Sequence, residues 1–228
     1  MTTENTPWVR QITHITIIER YDTVLYPIDQ ITLFDRLPEL GWLVSRRMDD
    51  QGTFSLESMP SKGNSHLRLD RGNKSIGIIG NHLAEVLASY KELTGVVREL
   101  FDFAGEVGTD YVEFRYIGRL NGSSRPVETF ASWWAEAGRA AELGSFLADK
   151  LPSDAVTMSP YGIRFAPSAN NANRPNWAEL VITPTPAAGS NTYHFDLIYR
   201  NESSSVVEQV VESADSIIES TLERLGGF

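Results

Sequence analysis

Apolar and polar positions alternate along this chain in two rhythms, one of period two and one near 3.6. Residues 12–21 (ITHITIIERY) are rich in β-branched side chains, which predicts a strand. Residues 28–40 carry Ile28, Ile31, Phe34 and Leu37 at helical spacing, interrupted by Pro38. Residues 42–48 and 53–57 predict a hairpin turned by Asp49-Asp50-Gln51-Gly52. Residues 66–70 and 75–79 predict a second, in which Gly72-Asn73 supplies the positive φ of a tight turn. A long helix follows over residues 82–104. Leu83, Val86, Leu87, Tyr90, Val97, Leu100 and Phe101 form its apolar stripe, and Gly105 or Gly108 ends it.

A second series then begins. Residues 110–120 (DYVEFRYIGRL) alternate apolar Val112, Phe114 and Tyr116 with charged Glu113 and Arg115, a strand with two unlike faces. Pro126 suits the first turn of a helix reaching about residue 151, with Gly138 and Gly144 inside it. Residues 155–165, 177–183 and 193–200 read as strands. The last helix, residues 205–225, buries a stripe from Val207 to Leu225, with Ser205 and Glu208 spaced as a capping box.

Each half therefore runs strand, helix, strands, long helix. The fold class this predicts is α+β, with antiparallel sheet covered on one face by long helices. Two units, residues 1–105 and 106–228, would pack as one body, and a pseudo-duplication of the unit is one reading of the order. The pentapeptides IIERY (17–21) and VEFRY (112–116) look alike, but so short a match also arises by chance. The element order resembles the TATA-box-binding-protein-like fold, in which two such units pair their sheets into a curved saddle. No DNA-wedging phenylalanine pairs can be placed, so the resemblance implies nothing about DNA binding. Residues 75–102 and 111–120 (SIGIIG, VLASYKELTGVVRELFDF, YVEFRYIGRL) also look like an uncharacterised, sporadically distributed prokaryotic family with a similar strand, long helix and R-Y-I-x-R strand. Gly118 stands where that family has asparagine. The family has no established activity to carry over.

Composition narrows the chemistry. The formal net charge is -10, from 20 basic and 30 acidic residues, which opposes the electrostatic attraction that nucleic acid binding needs. The chain contains 0 cysteines, which excludes thiol nucleophiles and cysteine-based zinc sites. The N-terminal stretch has no basic and apolar signal-peptide pattern, and no apolar run reaches the roughly 20 residues of a membrane helix, so a soluble cytoplasmic chain is expected. No His-x-His, His-Glu-x-x-His, Gly-x-Ser-x-Gly or P-loop spacing occurs, so neither a metal nor a cofactor is implied.

Two strands carry charged residues at every second position. His66, Arg68 and Asp70 share one face of theirs, and His194, Asp196 and Arg200 share one face of the last strand. Glu113 and Arg115 stand on the charged side of the central strand. If the helices cover the apolar side, these eight residues meet on the other. They would bind a small polar or anionic ligand, or work as acid and base through histidine. The solvated side of an antiparallel sheet must be polar anyway, so the same pattern also fits a face without a ligand. Glu208, Glu212, Asp215 and Glu219 lie along one flank of the last helix and would form either a solvated face or a docking stripe for a basic partner. Trp133 and Trp134 cannot both face one core, so one of them is a candidate partner contact. His14 and His82 read as a core-satisfied histidine and a helix cap. The leading expectation is a non-enzymatic binding or interaction protein that uses the polar sheet face. The alternatives are an enzyme for a small polar or phosphorylated substrate with His66 or His194 as general base, and an assembly protein that uses its helix surfaces.

Overall fold

The computed structural model describes residues 9–22, 35–48, 54–58, 66–70, 75–101, 108–121, 162–167, 175–185 and 192–224. β1 (Val9–Tyr21) is followed by a short 3-10 turn (Leu37–Leu40), then by β2 (Trp42–Met48), β3 (Phe54–Ser58), β4 (His66–Asp70) and β5 (Ser75–Gly80). α1 (Leu83–Phe101) closes the first half. The second half is β6 (Thr109–Asn121), β7 (Ile163–Phe165), β8 (Trp177–Pro184), β9 (Thr192–Asn201) and α2 (Ser204–Arg224). The class is α+β, as the periodicities require. The expected helices over residues 28–40 and 126–151 lie mostly or wholly outside the described residues. Helical residues 35–36 and the 3-10 turn are what is described of the first, and Gly41 ends the turn at φ 80. Among the described residues no helix is long and apolar enough to cross a membrane.

All these strands join one nine-stranded sheet in the order β2-β3-β4-β5-β1-β6-β9-β8-β7, with every neighbouring pair antiparallel. Reading outward from the central β1–β6 pair, each half lays down its last strand first and its earlier strands beyond it. Asn81 and His82 link β5 to α1, and Glu202 and Ser203 link β9 to α2. α1 packs on β5 and β1, and α2 on β6 and β9. Equal linkers put Val86 and Val207 at the same step of their helices, and both are buried. Between helices and sheet lie Ile15, Ile17, Phe114, Tyr116 and Phe195 with Val86, Leu93, Val211, Ala214 and Ile218.

Two polar joints cross this core. Buried Glu19 on β1 accepts a hydrogen bond from the Tyr90 hydroxyl on α1 at 3.2 Å and from the Thr109 hydroxyl on β6 at 2.7 Å. In the second half the roles are exchanged: Tyr116 on β6 donates to Asp215 on α2. A carboxylate as buried as Glu19 is costly unless it accepts hydrogen bonds, and here it accepts two. The expected capping box does not form. α2 begins one residue earlier than its spacing suggested, and Glu208 reaches Lys91 on α1 at 3.1 Å.

Candidate functional site

Alternation along the strands gives the sheet a second face, turned away from both helices. Its architecture depends on a bulge in β1. Ile12 pairs with Gly118, yet His14 pairs with Ile117, so Thr13 is the inserted residue. Its hydroxyl donates to the Ile117 carbonyl at 3.1 Å. The bulge reverses the phase of alternation: Ile12 returns to the core, Gln11 joins Arg119 on the far face, and His14, Thr16, Ile18 and Arg20 follow there. Opposite the bulge, Gly118 has no room for a side chain. A Cβ there would come within 2.7 Å of the Phe195 ring and 2.9 Å of the Gln11 carbonyl oxygen. The glycine at this position is thus the residue that lets β6 close on Phe195.

The far face brings most of the described candidates together as pairs. Arg115 on β6 grips Asp196 on β9 with two parallel bonds, Nε at 3.1 Å and a terminal nitrogen at 2.6 Å. That carboxylate holds the guanidinium above its ordinary pKa. Arg200 on β9 binds Glu113 on β6 through Nε at 2.9 Å and through a second nitrogen. Its guanidinium lies 4.4 Å from the centre of the Tyr111 ring. Arg20 on β1 stands over the same ring at 5.6 Å and reaches Asp110 at 3.3 Å. Arg164 on β7 grips Glu179 on β8 at 2.9 and 3.1 Å. Fork-to-carboxylate pairing of this kind fixes geometry as well as charge.

The histidines are arranged differently. His14 shares a 2.6 Å hydrogen bond with the Thr16 hydroxyl. Burial, helped by nearby Arg115, lowers its pKa, against the pull of Asp196. His194 faces Arg119 across β9 and β6. Among the described residues neither Arg119 nor His194 has a hydrogen-bond or ion-pair partner. The β4 register sets His66, Arg68 and Asp70 opposite Ile79, Gly77 and Ser75, but their side chains lie outside the described residues. Trp133 and Trp134 also lie outside them. Of the α2 carboxylates, Glu208 and Glu212 flank Lys91 of α1 at 3.1 and 3.6 Å, and Asp215 turns inward to Tyr116. Glu219 is half-buried on the same helix. Among the described residues no group of three or more His, Asp and Glu side chains is gathered for a metal ion.

Between the charged pairs lie half-buried aliphatic side chains: Ile79 on β5, Ile18 on β1, Ile117 on β6, Ile198 on β9 and Val181 on β8. Reading the residues alone missed these, together with Arg20, Tyr111, Arg119, Arg164 and Glu179. Strict alternation from Glu113 and Arg115 through Ile117 to Arg119 is the signal that places the β6 members on this face.

No family model matches the sequence, so nothing supports the resemblance to a prokaryotic family read in residues 75–102 and 111–120, and no curated protein matches it. Among solved structures the chain is similar to Methanococcus jannaschii TBP, at 10% identity and a TM-score of 0.38, over 96% of this chain and 98% of that one. At that TM-score the likeness carries no argument about fold or function.

Proposed function

We propose that this protein is a non-enzymatic binding module that engages a protein partner through the far face of its sheet. The observation that carries the reading is a set of half-buried aliphatic residues, one on each of five adjacent strands and interleaved with the charged pairs: Ile79, Ile18, Ile117, Ile198 and Val181. A sheet face given over to solvent favours polar side chains at these positions. Aliphatic side chains interleaved with arginines held by carboxylates suit a protein contact surface, where arginine is enriched. The pairs Arg115–Asp196 and Arg200–Glu113 hold their side chains in place before any partner arrives, which lowers the entropy lost on association. Among the described residues the same pairing leaves no run of unmatched positive charge for a nucleic acid backbone, on a chain of net charge -10.

The test is capture of partners by the tagged full-length chain from its native host, in parallel with the Ile198→Asp variant. The reading expects a reproducible partner, identified by mass spectrometry, that the variant loses while keeping its melting temperature. An identical set of captured proteins from both chains would refute it.

A further inference from the structure

The far face is not uniform from end to end. At one end and through the middle, Arg20, Arg115, Arg164 and Arg200 each meet a carboxylate. At the other end, past the bulge, Arg119 is exposed and meets none among the described residues. The pairing register lines up Gln11, Arg119 and His194 across β1, β6 and β9, and extends the row to Thr183 on β8. Each of these side chains can donate a hydrogen bond, and the His194 ring has an N–H to donate in either neutral tautomer. Gln11 belongs to the row only because the bulge at Thr13 reverses the phase of β1. The next row outward holds Asn121 and Thr192, neutral and bonded to each other at 2.6 Å. Asp196, two residues inward from His194 on β9, accepts two hydrogen bonds from Arg115. A row of donors around a guanidinium unmatched among the described residues, on a chain this acidic, is complementary to an oxyanion.

We propose that Arg119 and His194, with Gln11 and Thr183 beside them, hold an oxyanion group carried by the partner, either a side-chain carboxylate or a phosphate. This inference rests on the far face being the binding surface and names the chemistry recognised at one end of it. Arg119 presents a planar fork suited to two oxygens at once, and His194 supplies a donor from the neighbouring strand.

The experiment is side-chain NMR of the full-length chain, titrated with sodium phosphate or sodium acetate at constant ionic strength. The expected result is a saturable shift of the Arg119 Nε–H signal, accompanied by the His194 ring, with at least one of the anions. The tighter-binding anion identifies the source, phosphate or carboxylate. Arg119→Gln, a change at an exposed position, weakens that binding by about tenfold or more, the worth of a lost charge-assisted hydrogen bond. Shifts that never saturate with either anion, or an Arg119→Gln chain that titrates like the parent, would overturn the proposal. Failure here together with partner loss in Ile198→Asp would remove the oxyanion site and leave the far face as the binding surface. A partner retained by Ile198→Asp removes the surface itself.

Discussion

The two faces of the sheet are built by the same strands and differ in how their side chains find partners. On the helix face, contacts are made between layers: Phe114, Tyr116 and Phe195 pack beneath α2, and the polar groups Glu19 and Asp215 are satisfied by tyrosines across the gap. On the far face, contacts are made within the layer, strand to neighbouring strand, as Arg115 to Asp196 and Arg200 to Glu113. The first arrangement removes apolar surface from water and carries the stability of the fold. The second fixes charges at a surface, where an ion pair contributes little to folding but holds a shape. The difference teaches which face can be altered without losing the protein.

That contrast can be broken by substitution. Phe195→Ala opens a cavity in the core and should cost about 3–5 kcal/mol in urea unfolding. A loss below about 1 kcal/mol would mean that the helix layer is not what holds the fold. Gly118→Ala should cost about 1–3 kcal/mol, because its methyl group meets the Phe195 ring and the Gln11 backbone. A neutral result would show β6 free to move away from β1. On the far face, a double-mutant cycle on Arg115 and Asp196 should return a coupling of only about 0.2–1 kcal/mol, since the Arg115 side chain is 44% exposed. Coupling of several kcal/mol would erase the distinction between the faces.

The smallest effect concerns His14. Burial, with Arg115 beside it, lowers its pKa in the folded chain, so the unfolded chain binds more protons near and below the ordinary value of 6.5. Its contribution to stability is present above that value and is lost as the pH falls toward and through the lowered one. Unfolding free energies measured across this range should show a shallower acid slope in His14→Gln. An unchanged slope would mean that His14 does not contribute.

Much of the contrast was legible in the residues. The apolar stripes of α1 and α2 and the charged positions of β6 and β9 follow from periodicity, because helix and strand impose fixed repeats on which side is buried. What was not legible depends on contacts distant in sequence. Asp215 fits an acidic flank of α2 by spacing, and only the position of Tyr116 shows why it turns inward. The pairing of Arg115 with Asp196 requires the β6–β9 register, which no local pattern specifies. The bulge at Thr13 shifts alternation by one residue, and a single inserted residue leaves no compositional mark in a run as β-branched as residues 12–21.

One capture experiment tests the central claim most directly. The tagged chain, Ile198→Asp on the far face and Glu212→Lys on the exposed side of α2 are compared for retention of the same partner, with melting temperatures recorded for each. The account predicts that Glu212→Lys keeps the partner and Ile198→Asp loses it, both folded. Loss of the partner by Glu212→Lys with retention by Ile198→Asp would move the working surface to the helices and contradict it.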